Sequence, residues 1–296
     1  MKIAVVGSGI MGLGIAQAFA QAKGYEVKLC VVSGKGFEEK YMKFQKPIKK
    51  LLEKGKISEE RFEEIVSKVE VTDINGAADC DLIIESAIED IEAKITLLQK
   101  LEEICSEEAI LTSNTSSLSI TEISSALKRP IIGMHFFNPA AVMKLVEVIP
   151  GLTTSEDTVK KIKDIVCDID KVPVVVMEGP GFVVNRLLIP MINEAIIIAE
   201  EGLATVEGID MAMQLGANHR MGPLALADLI GLDVCYAIME VMFHETLDSK
   251  YRPARLLKKM VRAKRLGQKT GKGFYEYDGN GRKIEGSAMV IGPVAQ

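Results

Sequence analysis

The chain reads as an α/β protein: a Rossmann-like, doubly wound, mostly parallel sheet followed by a second, all-helical domain. Three observations predict this. Short apolar runs alternate with amphipathic ones through the first half, the pattern of strands joined by crossover helices. A G-x-G-x-x-G loop, Gly7-Ser8-Gly9-Ile10-Met11-Gly12, ends the first strand-like run and opens the first helix-like one. After Gly179-Pro180-Gly181 the strand pattern stops, and helical periodicity dominates from Phe182 to Leu266.

Taken in order, Ile3–Val6, Val27–Val32, Val69–Thr72, Leu82–Glu85 and Ile110–Ser113 are apolar runs of strand length. Ile131–His135, Lys144–Ile149 and Pro173–Met177 continue the series. Ile10–Lys23, Ile91–Cys105, Ile120–Leu127 and Thr154–Asp168 have helical spacing. The first long helix of the second domain, Phe182–Ala199, is apolar nearly all round, which calls for burial on several sides. The domain boundary is expected within residues 181–186, giving domains 1–183 and 184–296. The tail from Gly271 is rich in glycine and charge and is expected to be extended.

Composition narrows the function classes. The 48% hydrophobic content over 296 residues suits two cores. A net charge of -5 argues against nucleic acid as the main partner. Five scattered cysteines with no CxxC pair indicate reduced thiols, and no histidine pair has metal-ligand spacing, so no metal is expected. The run Gly181–Ala199 contains Asn185, Arg186, Pro190, Asn193 and Glu194, too many polar groups and breakers for a membrane span. The chain opens on a strand pattern, so no signal peptide is expected and the reading is cytoplasmic.

The glycine loop carries the first chemistry. Gly7 allows a tight turn, Gly9 lets backbone approach a pyrophosphate, and Gly12 permits close helix–strand packing. Ile10 and Met11 place backbone N–H groups at the helix start, where phosphate binds. The fingerprint lacks one part. An acid should end the second strand and accept from the adenosine ribose. Here Lys28-Leu29-Cys30-Val31-Val32-Ser33-Gly34-Lys35 has no carboxylate, and Val31 or Val32 stands in its place. NAD is the expected cofactor, with NADP open through Ser33 and Lys35.

The second chemical feature is His135-Phe136-Phe137-Asn138-Pro139 followed by Lys144-Leu145-Val146-Glu147-Val148. An imidazole can take a proton from an alcohol, and a carboxylate can orient it and stabilise its cation. A dinucleotide loop with such a pair is equipment for oxidising an alcohol to a ketone. The third is basic: residues 35–56 hold eight lysines against three acids. Such a segment is either a solvated face or a clamp for a multiply phosphorylated ligand. Pro47 is expected to disturb its helix.

These motifs resemble the short-chain 3-hydroxyacyl-CoA dehydrogenases, the bacterial 3-hydroxybutyryl-CoA dehydrogenases in particular. Further matches are Ser113-Asn114-Thr115-Ser116-Ser117-Leu118, Pro180-Gly181-Phe182-Val183-Val184-Asn185-Arg186, Gly216-Ala217-Asn218-His219, Met221-Gly222-Pro223-Leu224 and Gly271-Lys272-Gly273-Phe274-Tyr275. The resemblance covers residues 1 to about 277. It implies His135 as general base, Glu147 as its partner, and Ser116 and Asn185 as holders of the substrate oxygen. It implies Glu89, Lys94, Ser116 and Asn138 as cofactor contacts. It implies that the basic segment meets the nucleotide end of coenzyme A through Lys50 and above all Lys56, and it places Lys49 where a serine contact is expected. It implies a homodimer or higher homo-oligomer built through the second domain. The chain departs from the family at Val31, at Arg220 where proline is usual, in a loop at 127–132 about two residues short, and in the tail Asp278–Gln296.

Two other readings stay open. One is a dinucleotide-binding protein without catalysis, supported by the missing ribose acid. The other is a dehydrogenase of free hydroxy acids, which would act alike on 3-hydroxybutyrate and its CoA ester.

Overall fold

A computed structural model of the protein describes residues 1–291. It divides into two compact units, Met1–Gly179 and Pro180–Gln296, the latter described as far as Ile291.

The first unit holds one eight-stranded sheet. Its strands are β1 (Lys2–Val6), β2 (Glu26–Cys30), β3 (Val69–Thr72), β4 (Leu82–Glu85), β5 (Ile110–Ser113), β6 (Ile132–Phe136), β7 (Leu145–Pro150) and β8 (Val172–Val175). The order across the sheet is β3-β2-β1-β4-β5-β6-β7-β8. Every neighbour pair is parallel except β6–β7. The order reverses between β1 and β4, which opens a crevice at their carboxyl ends. The mostly parallel doubly wound sheet expected from the alternation is therefore present. The central strands β1 and β4 are buried along nearly their whole length, as near-continuous apolar runs in a helix-covered sheet should be.

Helices α1 (Ile10–Gln21), α2 (Phe37–Glu53), α3 (Glu59–Ser67), α4 (Ile91–Ile104), α5 (Ile120–Ser125) and α6 (Glu156–Asp168) connect the strands. Several starts follow from side-chain caps: Ser58 accepts from Arg61, Asp90 from Ala93, Ser119 from Glu122 and Ser155 from Thr158. Two points differ from the sequence reading. Helix α2 runs unbroken through Pro47. Pro47 and Lys43, the residue whose carbonyl it leaves without an intrahelical donor, are both exposed, while Phe44 and Ile48 are buried. The basic extension also continues into a separate helix, α3, which rests on Ile65 and Val66.

The second unit is helical: α7 (Val184–Glu200), α8 (Val206–Gly216), α9 (Pro223–Ile230), α10 (Leu232–Thr246) and α11 (Arg255–Arg262). Its core is built on Ile192, Ile196, Leu224, Leu232, Met239 and Leu257. Phe274 and Tyr275 are buried in the same core. The tail is not simply extended: isolated bridges pair Lys272 with Glu276 and Tyr277 with Lys283, so it doubles back. Residues 292–296 of the tail lie outside the described residues.

Buried carboxylates hold this arrangement. Asp210 accepts from the Leu224 and Ala225 amides and from the Tyr275 hydroxyl. Asp228 accepts from the Phe274 and Tyr275 amides and the Tyr277 hydroxyl. A Cβ at Gly273 would lie 1.9 Å from Asp228 Oδ1. The Gly271-Lys272-Gly273-Phe274-Tyr275 motif is thus a seat for a buried carboxylate. No described helix is long and apolar enough to cross a membrane.

Candidate active site

The glycine loop lies at the carboxyl end of β1, where the sheet order reverses. Gly7 has φ +122°, and a Cβ there would lie 2.3 Å from the Ser86 carbonyl oxygen. A Cβ at Gly12 would lie 1.8 Å from the Gly7 carbonyl oxygen. Gly9 is different: nothing lies within 4 Å of the Cβ direction. Gly9 is also the N-cap of α1, with no side-chain cap and no acid in the first turn. The amides of the Ile10–Gly12 turn are therefore suited to an anionic group, and the open Gly9 direction gives it room. The loop fits a dinucleotide pyrophosphate.

Where a ribose-binding acid is expected, Val31 is 2% exposed and its amide donates to the Thr72 carbonyl at 2.8 Å. Val32, Ser33, Gly34 and Lys35 form an exposed turn closed by Gly34 N to Val31 O at 2.9 Å. No carboxylate belongs to this turn.

The strands on the other side of the crevice carry a polar network. Glu85 ends β4 fully buried, and Lys94 of α4 is 1% exposed. Lys94 Nζ donates to both Glu85 oxygens at 2.8 and 3.0 Å and pairs with Glu89 Oε2 at 3.3 Å. Glu89 Oε1 accepts from Thr115 Oγ1 at 2.7 Å, Ser116 N at 2.7 Å and Ser116 Oγ at 3.0 Å. Burial opposes ionisation of Glu89, but the Lys94 charge and these donors outweigh it and hold its carboxyl below the usual range. The structure thus joins Glu89, Lys94 and Ser116. Asn138 stands exposed after β6, before a cis peptide bond to Pro139.

His135 and Glu147 are direct register partners in the antiparallel β6–β7 pair. His135 Nδ1 lies 2.8 Å from Glu147 Oε2, with the two residues 5% and 1% exposed. A carboxylate on Nδ1 favours the tautomer with its proton there and its lone pair on Nε2, suited to proton exchange. The His135 ring also packs against Phe137 at 4.5 Å between centroids. Asn114 accepts from the Phe136 amide at 2.8 Å, tying the β5 loop to the histidine strand.

Lys49 and Lys50 are exposed on α2. Lys56 is exposed just beyond the helix, where its amide donates to Leu51 O and that of Gly55 to Leu52 O, a Schellman closure that fixes the exit of the chain. Asn185 belongs to the first turn of α7 in the second unit. Sequence reading missed two anchors. The one signal for Glu85 is that a single acid ends an otherwise apolar strand, which does not name its partners. Glu178, which accepts from Ser119 Oγ, Thr121 N and Thr121 Oγ1, gave no motif signal.

Among the described residues no group of three or more His, Cys, Asp or Glu could hold a metal ion.

Known proteins resemble this chain over most of its length. Residues 2–179 match the model of the 3-hydroxyacyl-CoA dehydrogenase NAD-binding domain, and residues 181–277 that of the family's C-terminal domain. The chain is 52% identical to 3-hydroxybutyryl-CoA dehydrogenase of Clostridioides difficile over 94% of its own length and 100% of the relative's. It is 41% identical to human mitochondrial hydroxyacyl-coenzyme A dehydrogenase, covering 93% of this chain and 90% of that one. The crystal structure of (S)-3-hydroxybutyryl-CoA dehydrogenase from Ralstonia eutropha superposes with a TM-score of 0.88 at 43% identity, covering 94% of this chain and 99% of the other. Residues 2–179 are therefore a domain for a nicotinamide cofactor, and the chain belongs to the 3-hydroxyacyl-CoA dehydrogenase family.

Proposed function

We propose that the protein interconverts 3-hydroxyacyl-CoA and 3-oxoacyl-CoA thioesters, with 3-hydroxybutyryl-CoA and acetoacetyl-CoA as the pair it serves. The observation that carries this is the buried His135–Glu147 pair in a sheet whose switch point bears a dinucleotide loop. The relatives named for 3-hydroxybutyryl-CoA support the substrate.

In the oxidation direction His135 takes the 3-hydroxyl proton at Nε2, and Glu147 stabilises the resulting imidazolium through Nδ1. A bound nicotinamide would supply the hydride acceptor that the oxidation needs. Ser116 holds the substrate oxygen while this happens. In the reverse direction His135 returns the proton to the forming alcohol. Gly7, Gly9, Ile10, Met11 and Gly12 seat the pyrophosphate, and Asn138 contacts the cofactor. Lys49, Lys50 and Lys56 face the nucleotide end of coenzyme A, which is multiply phosphorylated.

The cofactor is NAD, with NADP admitted because Val31 removes the charge that would repel a 2′-phosphate. The assembly is a homodimer formed through the second unit, whose Leu187, Met211 and Leu215 are 72%, 57% and 80% exposed.

Acetoacetyl-CoA reduction by the purified protein, with NADH and NADPH in parallel, tests the reading. Turnover with the CoA ester far above that with free acetoacetate is expected. Cofactor binding without turnover would replace the enzyme by a binder, and equal rates on the free acid would move it to the hydroxy-acid dehydrogenases.

A further inference from the structure

We infer that Glu89, itself locked by the buried Lys94, is the positioning residue that sets the place of Ser116; this rests on the proposed reaction. Lys94 is buried and cannot keep its charge there without partners. It is shared between Glu85 and Glu89, so two carboxylates face one ammonium. Neutral donors meet the excess negative charge. Glu85 accepts from Ser113 Oγ at 2.5 Å and Ala87 N at 2.6 Å. Glu89 accepts through Oε1 from Thr115 and twice from Ser116. A serine hydroxyl has one hydrogen. Given to Glu89, it fixes where Oγ stands before the reactants arrive; on binding, the hydroxyl can turn its hydrogen to the substrate carbonyl while the Ser116 amide keeps the loop on Glu89.

This assigns Lys94 a different place from direct cofactor contact. Its ammonium is spent on two carboxylates, and its effect on the reaction passes through Glu89 to Ser116. The chain of contacts joins the ends of β4 and β5 to the first turn of α4, so the Ser116 loop is set by rigid elements.

The test is a double-mutant cycle on Glu89 and Ser116. Glu89→Gln keeps the shape and removes the charge facing Lys94. It is expected to lower kcat for acetoacetyl-CoA reduction about 10- to 100-fold, the cost of a misplaced reacting group. KM for acetoacetyl-CoA and Kd for NADH, read by fluorescence titration, should stay within about threefold. Ser116→Ala combined with Glu89→Gln should be no worse than Ser116→Ala alone. Hydrogen exchange at the Ser116 amide should quicken in Glu89→Gln. Losses that multiply, an unchanged Ser116 amide, or NADH binding that weakens as much as kcat falls would overturn the inference, the last by making Glu89 a direct cofactor contact. Should Glu89→Gln not fold, Glu89→Asp shortens the same carboxylate and completes the cycle. A wild-type protein inert toward acetoacetyl-CoA would sink the proposed reaction; amide exchange and NADH titration would then decide alone whether Glu89 holds the loop.

Discussion

Glu147 faces His135 across the antiparallel β6–β7 pair, and the ladder register that aligns their backbones also brings Oε2 to 2.8 Å from Nδ1. The pair is made by the sheet: a one-residue slip would send one side chain to the opposite face.

His135→Ala should lower kcat about 10²- to 10⁴-fold, the usual worth of a general acid–base. NADH affinity should hold, because the glycine loop is untouched. Glu147→Gln keeps the shape but cannot hold an imidazolium, so it should cost at least about tenfold and alter the pH–rate profile. A superimposable profile would refute the role of Glu147.

Neutralising Lys49, Lys50, Lys54 and Lys56 together should raise KM for acetoacetyl-CoA more than KM for NADH. The wild-type KM for the ester should also rise with salt. A KM that stays put in the variant would make the exposed lysines of α2 a solvated face only.

Val31→Asp should strengthen NADH binding and weaken NADPH binding, measured by titration of each. Because Val31 is 2% exposed, the unliganded variant should also lose about 1–3 kcal/mol of stability from burying a polar group without a partner. Unchanged cofactor preference would show that residue 31 does not read the ribose.

Glu178 is held below the usual carboxylate range: burial opposes this, and donors from Ser119 and Thr121 overcome it. A lowered folded value means stabilisation present above the unfolded value and lost as pH falls through the folded one. Glu178→Gln should therefore destabilise the protein at neutral pH and differ little from wild type in strong acid, by urea unfolding at both. Equal differences at both pH values would count against it.

Asp228 has the opposite sign. Burial pushes its carboxyl up to about 6, against three hydrogen bonds and aided by Asp210. A raised folded value means that stability is greatest below the unfolded value near 3.9 and falls as pH rises to about 6, by about 3 kcal/mol. Asp228→Asn should remove that slope, so the gap between variant and wild type should change from pH 4 to pH 7. A constant gap would mean that Asp228 does not titrate there.

Most of the first unit was legible because buried parallel strands read as short apolar runs: Leu82–Glu85 and Ile110–Ser113 match β4 and β5 to the residue. Helix α3 was missed although Ser58-Glu59-Glu60 is a cap signal, because the lysine run drew the segment together as one extension. Pro47 misled for a local reason, since proline weakens a helix least where solvent can take the orphaned carbonyl. Within the site, His135 and Glu147 were visible as residue types, but their distance depends on register. Glu85 and Glu178 were hidden because a carboxylate's role as anchor depends on donors 28 and 57 residues away.

The glycine loop and the turn after β2 differ in how freely they can be redesigned. At Gly7 and Gly12 an added methyl would strike backbone, so a change at either demands a compensating change in the Ser86 loop or in the helix start. At Gly34 nothing lies within 4 Å, and at Gly36 only the tip of Glu39 does, though both have positive φ. If the proposed cofactor reading holds, residues 32–35 are a modular handle for retargeting the cofactor, provided glycine is kept at the positive-φ Gly34, while the glycine loop is left as it stands.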